Sequence, residues 1–379
     1  MINQKEVCIT TWFGTENYGS NLQAIGLEKT IQNLGYKVSF LRNFNVMPFQ
    51  FRHPRLLLTK IINRINKRKS VEFFSRENYE ITDKRKKRIN DFNKRYFNTR
   101  SFRTSEQWND AIKHKMIFAC GSDIIWNPAR GYPDFRFLDF AYYAGLNRFS
   151  YASSIGAMSL PRKYFSAYKR YLGSMKAVGV REQSVADMLA PIIGCPVEQV
   201  VDPTLLLTKE EWKEFSNSAE LSIQIPAEGY VLCYFVMNDM RYWDYVKKIK
   251  DQTGLQIIVL PMHENDETQP YTILMDGTPY EFTWLIRNAE LICTDSFHAC
   301  VISMIFEKEF YLLRRERKSE DAKYDDFLGK YGLVDRSVSD ETRFVRETKI
   351  NYVKAKQLLE EDRNRSMKYL TRTLEACNG

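Results

Sequence analysis

At 379 residues with 44% hydrophobic content, the chain has the length of about two domains and enough apolar material for real cores. Its longest apolar stretches, such as Leu56-Leu57-Leu58 and Val301 to Phe306, are too short to span a bilayer. The start, Met1 through Lys5 and Glu6, carries no signal-peptide core, so a cytoplasmic protein is expected.

The net charge of +9 is concentrated: residues 51–103 hold 17 Lys/Arg against 5 Asp/Glu, which leaves −3 for the rest of the chain. The basic character is therefore a question of partners rather than of fold. Seven cysteines include no C-x-x-C pair, and four histidines show no ligand spacing. A reducing compartment is expected, with no disulfide frame, metal or cofactor.

Short β-branched or aromatic runs alternate with longer helical patterns, the rhythm of βαβ units around parallel sheets. Val7 to Trp12 reads as the first strand, Gly14 to Ser20 as a turn-rich loop, and Leu22, Ile25, Leu27, Ile31 and Leu34 as one helix closed by Gly35. Val38 to Leu41 is the second strand. Residues 50–110 break the rhythm and read as a helical insertion. Leu57, Leu58, Ile61, Ile62 and Ile65 form an apolar stripe there, opposite Lys60, Arg64, Lys67, Arg68 and Lys69. Strands then follow at Met116 to Cys120, Phe149 to Ala152 and Ala177 to Val180. A boundary near residue 206 opens a second series: strands at Tyr230 to Val236, Gln256 to Leu260, Leu291 to Thr294 and Phe310 to Leu313, with helices between them. The expected organisation is two Rossmann-like domains, 1–206 and 207–335, facing a central cleft, and a charged helical tail over 336–379 that straps them. Ligands of such a pair lie at the strand carboxyl ends.

Four segments point there. Leu291 to Thr294 ends in Asp295-Ser296, and His298 lies in the first turn of the next helix. Ser296 is a good N-cap beside a ready anion site, and His298 suits proton transfer near neutral pH. A capping Asp-Ser with a merely packed histidine fits the same residues. Asn17-Tyr18-Gly19-Ser20 joins the first strand to the first helix, as a ligand loop or an ordinary βα turn; it is neither a Walker loop nor G-x-G-x-x-G. After Cys120, Asp123 is a candidate base for a sugar hydroxyl and Trp126 a candidate stacking surface, or else a cap and a core residue. Arg181 either grips a carboxylate or phosphate or pairs with Glu182. The basic insertion is a solvated face, a nucleic-acid surface or an amphipathic helix on an anionic membrane. The stripe opposite its cations favours the membrane over nucleic acid, for which no recognised module is present.

Six segments taken together resemble the polysaccharide pyruvyl transferase family. They are Asn17 to Gln23, Gly121 to Asn127, Ser150 to Gly156, Val180 to Ser184, Val201 to Leu205 and Thr294 to His298, in the family's order. The resemblance implies a GT-B-like fold and transfer of a pyruvyl group from phosphoenolpyruvate to two hydroxyls of one sugar. The acceptor it implies is a glycan or lipid-linked oligosaccharide of a bacterial surface polysaccharide; the amphipathic pattern of the basic helix 55–69 adds the expectation of contact with the inner membrane surface. It places the proton donor at His298 and a donor-anion grip at Arg181. Asp123 and Trp126 go to the acceptor, and Asn17, Tyr18, Gly19, Ser20, Asp295 and Ser296 to the substrate loops. Many relatives carry arginine where this chain has Ser296, and glycine where it has Ala299. Arg314, Arg315 or Arg317 is expected to replace the missing cation. A nucleotide-sugar glycosyltransferase of the same fold and a non-catalytic glycolipid- or membrane-binding protein stand as rival readings.

Overall fold

The structure, a computed structural model, describes residues 5–70, 83–128, 135–157, 159–314, 322–338 and 349–378. The first half runs β1 (Glu6–Thr10), α1 (Tyr18–Asn33), β2 (Lys37–Phe44), α2 (Met47–Arg52), α3 (Pro54–Ser70), α4 (Asp83–Tyr96), β3 (Thr99–Phe102) and α5 (Ser105–Lys113). It continues with β4 (Ile117–Cys120), α6 (Asp139–Tyr143), β5 (Arg148–Ser153), α7 (Phe165–Leu172), β6 (Ala177–Val180), α8 (Gln183–Ile193) and β7 (Val197–Gln199). The second half runs α9 (Lys209–Ser216), β8 (Tyr230–Tyr234), α10 (Arg241–Thr253), β9 (Gln256–Val259), α11 (Glu264–Glu267) and β10 (Thr272–Ile273). Then come α12 (Pro279–Asn288), β11 (Leu291–Thr294), α13 (Phe297–Ile305), β12 (Glu309–Leu313), α14 (Ala322–Tyr331), β13 (Ser337–Val338) and α15 (Val353–Asn378).

Two parallel sheets result, ordered β3-β2-β1-β4-β5-β6-β7 and β10-β9-β8-β11-β12-β13. Helices cover both faces, so the central strands are apolar throughout: β4 and β8 are buried at every position. The order of each sheet reverses once, between β1 and β4 and between β8 and β11. Such reversals open a crevice beyond the strand ends where ligands bind.

One apolar core runs from Val7 and Leu22 of the first sheet's layer to Phe282 and Val301 of the second. Helix α1 lies inside it: 13 of its 16 residues are buried, including the polar Ser20, Asn21, Gln23, Glu28 and Thr30. Helix α15 reaches both halves. Tyr369 donates to the Ser150 carbonyl at 2.7 Å, and Asp362 accepts from Tyr331 at 2.9 Å.

The region 50–110 is not wholly helical. Thr99–Phe102 pairs with β2 as the sheet's edge strand. An edge strand here needs only Phe102 inward, so no apolar run announces it. The expected stripe on α3 is also split. Leu56 and Thr59 are buried whereas Leu58 and Ile61 are exposed; the side chains of Lys60 and of 64–70, Ile65 among them, lie outside the described residues. Part of the basic excess is spent internally: Lys84 and Arg88 of α4 meet Asp276 at 2.8 and 3.4 Å, and Arg88 meets Glu281 at 2.9 Å. Among the described residues, no helix is long and apolar enough to cross a membrane.

Candidate active site

Both strand-order reversals open onto the same spot. From the first domain come the loops after β1 and β4; from the second come the loops after β8 and β11. Asn17 caps α1 by accepting from the Ser20 N–H at 3.2 Å. Tyr18 crosses to the second domain, stacking on Phe282 with 4.8 Å between centroids and donating to the Gly277 carbonyl at 3.1 Å. The α4 residue Arg85, fully buried, lies 5.5 Å over the same ring.

His298 follows the Ser296 cap of α13, whose hydroxyl accepts from the Ala299 N–H. Its ring lies against Gly19: a Cβ there would sit 2.2 Å from Nδ1. Its Nε2 approaches Asp202 Oδ2 at 3.5 Å, an ion-pair distance, yet makes no hydrogen bond. Asp202 is the hub of a buried network. Its Oδ2 accepts from Arg181 at 3.1 Å and from Ser122 at 3.2 Å, and its Oδ1 from the Thr204 N–H at 3.0 Å. Arg181 also meets Glu182 at 2.9 Å and stacks 5.0 Å over Phe297.

The charges decide which groups ionise. Burial pushes the Asp202 carboxyl up, but His298, Arg181 and the Thr204 N–H outweigh it and hold it below the usual carboxylate range. Burial likewise works against the Arg181 cation, and Glu182, Asp202 and Asp123 reverse that, so the guanidinium stays charged. Asp123 sits in the left-handed region at φ 73° and accepts from Ser20 at 3.0 Å and from the Ile124 N–H at 2.8 Å. Burial raises its carboxyl too, and Arg181 and then His298 bring it below its ordinary value. It is an ionised acceptor at neutral pH, beside the histidine.

Asp295 does something else. Its two oxygens take the Val236 and Met237 N–H groups at 2.6 and 2.9 Å, fixing the loop after β8, and burial pushes its carboxyl up to about 7. Arg314 is held by Asp325 at 2.7 Å and by the Tyr324 ring at 5.6 Å; Arg315 and Arg317 lie outside the described residues. Trp126 offers no surface to a sugar. It is fully buried, stacked on Phe137 at 5.8 Å, because the loop after β4 turns inward at Ile125.

A small cleft, with a cavity volume of about 50 Å³, opens beside this network, lined by Arg181, Glu182, Asp202, Phe297, Lys323 and Lys330. The sequence reading missed Asp202, Glu182, Ser122 and Lys323 as site residues. The first three stand inside the six segments that carry the resemblance; Lys323, on a charged helix beyond them, has no such signal. No group of three or more His, Cys, Asp or Glu is placed to hold a metal among the described residues.

No curated protein matches the chain. Among solved structures, it is similar to UDP-GlcNAc 2-epimerase from Methanocaldococcus jannaschii, at 12% identity and a TM-score of 0.51 over 98% of this chain and 99% of that one. A putative UDP-N-acetylglucosamine 2-epimerase from Listeria monocytogenes aligns at 8% identity and a TM-score of 0.49, over 96% and 91%. At such identities the first likeness speaks for the GT-B-like fold alone. A family model for polysaccharide pyruvyl transferase matches residues 17–317. That span runs from the Asn17 cap through Arg181 and Asp202 to beyond His298, and the chain is therefore a transferase of the polysaccharide pyruvyl transferase family.

Proposed function

We propose that this enzyme moves the pyruvyl group of phosphoenolpyruvate onto two hydroxyls of one sugar, leaving a cyclic ketal and inorganic phosphate. The acceptor in this reading is a lipid-linked precursor of a bacterial surface polysaccharide, met at the inner face of the cytoplasmic membrane. The observation that carries it is His298 held where the two domains meet, with Nε2 making no hydrogen bond, beside a charged arginine and two ionised carboxylates.

In this chemistry His298 protonates the methylene carbon, and the carbon bearing phosphate becomes electrophilic. Asp123 takes the proton of the first attacking hydroxyl. Phosphate leaves with the proton held by Asp123, and the second hydroxyl closes the ring as its proton returns to His298. Two of the five N–H groups of Arg181 are committed to Glu182 and Asp202; the others, with Lys323 and the start of α13, face the donor's carboxylate and phosphate.

The test is phosphate release from phosphoenolpyruvate. It is expected only with a suitable acceptor and to be lost in His298→Ala while the fold is kept. No release across a broad panel of lipid-linked galactose- or mannose-type acceptors would overturn the reading. Thermal stabilisation by a nucleotide sugar, with none by phosphoenolpyruvate, would favour a glycosyltransferase.

A further inference from the structure

We infer that helices α2 and α3 form a docking surface for an anionic lipid bilayer. Eight large apolar side chains are exposed among the described residues, and four of them fall on this one helix pair: Met47 at 42%, Phe51 at 66%, Leu58 at 55% and Ile61 at 56%. Scattered exposed apolar residues need no explanation, but four within fifteen positions do.

The pair is held firmly from its other side, which keeps these four facing out. Phe49 packs edge-on against Phe44 at 5.9 Å and Trp108 at 5.5 Å. His53 stacks on Tyr143 at 4.9 Å, and Leu56 and Thr59 are buried. Arg52 and Arg55, both exposed, lie between the apolar positions. No acidic residue occurs between Glu28 and Glu72. A surface that buries apolar side chains while offering arginines to negative charge is that of a helix lying in the headgroup layer.

The charge argues against a second copy of this chain as the occupant. A two-fold contact through these helices would bring both sets of arginines together, with no carboxylate on either helix to pair them. The location fits a glycolipid acceptor as well: α2 follows directly on the carboxyl end of β2, the edge of the sheet toward which the cleft opens. The inference rests on the lipid-linked reading for its purpose, but its geometry stands without it.

The experiment is flotation of the full chain with vesicles of phosphatidylcholine, alone or mixed with phosphatidylglycerol. Binding is expected to the mixed vesicles only and to weaken with salt. Arg52→Gln and Arg55→Gln should each weaken it about five-fold. Phe51→Ser/Leu58→Ser/Ile61→Ser should weaken it at least about ten-fold, with an unchanged thermal melt and unchanged phosphate release on a soluble acceptor. The inference is overturned if the wild type does not float, if the triple variant floats like the wild type, or if the wild type is a dimer that the triple variant dissociates. Vesicle binding without phosphate release under any condition would instead count against the proposed chemistry and leave the docking surface standing.

Discussion

Replacing Gly19 by alanine tests whether the wall of His298 is built from the first domain. Gly19 has ordinary helical backbone, so propensity alone would make the alanine stabilising by about 1 kcal/mol. The site reverses that sign. The new Cβ would stand 2.2 Å from His298 Nδ1, 2.7 Å from its Cγ and 3.0 Å from its Cβ. An ordinary contact is about 3.5 Å, so the ring must retreat by roughly 1 Å. It has little room, because Asp202 stands 3.5 Å behind it and the side chain is only 10% exposed. Overpacking of this kind costs about 1–3 kcal/mol, and a displacement of about 1 Å costs on the order of 100-fold in turnover. Gly329 of α14 is the control: also helical, with nothing within 4 Å of its would-be Cβ, its alanine variant should gain stability and keep activity. The assay is a thermal melt beside steady-state phosphate release. If Gly19→Ala melts higher and turns over like the wild type, the packing described here is wrong.

Three further outcomes follow from the same network. Asp202→Asn should lose about 3 kcal/mol, since it leaves a buried guanidinium short of a partner, and should lower turnover by more than ten-fold. Because the folded carboxyl lies below its ordinary value, its stabilising effect is present above about pH 4 and lost as pH falls below it. The acid limb of the stability curve should therefore flatten in Asp202→Asn, and an identical limb in both proteins would refute the assignment. Gly26→Ala should cost about 3 kcal/mol in chemical denaturation, because its Cβ would stand 2.4 Å from the Pro203 carbonyl oxygen, backbone that cannot swing aside; full stability would count against that contact. Lys323→Gln should raise the phosphoenolpyruvate KM several-fold at nearly constant kcat, and an unchanged KM would remove Lys323 from the donor site.

The strand ends and turns were legible because they interrupt apolar runs with small and polar residues, and a parallel sheet sends all such interruptions to one edge. That logic points to His298, Arg181, Asp123 and the Asn17 loop, which the structure brings into one neighbourhood. It failed where one residue type serves two ends. An aspartate before proline reads as a turn cap, and Asp202 is one, accepting from Thr204; its second oxygen, the hub of the site, leaves no mark in sequence. Trp126 after a glycine turn looks the same whether it faces a sugar or a core. The buried polar face of α1 breaks the usual helical pattern because the loops after β1 and β4 cover it: Ser20 donates to Asp123, Asn21 to the Thr15 carbonyl and Gln23 to the Trp12 carbonyl. Within the basic insertion, charge counts do not show that Asp276 and Glu281 stand opposite Lys84 and Arg88 of α4.

His298 belongs to the second domain, yet the groups that confine it, Gly19 and Asp202, belong to the first. The catalytic unit of the proposed chemistry therefore exists only where the two sheets meet. A buried arginine with two carboxylates is a poor source of net stability, since desolvation offsets most of the attraction. What it supplies here is a fixed geometry for a ring arriving from another domain. The continuous core, the Tyr18–Phe282 stack and the span of α15 then keep the meeting point closed. Ser296 fits this division. With its hydroxyl turned to the Ala299 N–H, the second domain offers the start of α13 rather than a side-chain cation. In the proposed reaction the cationic load for a donor with two anionic ends falls on Arg181 and on Lys323 of α14, so a bound donor would touch both sides of the joint.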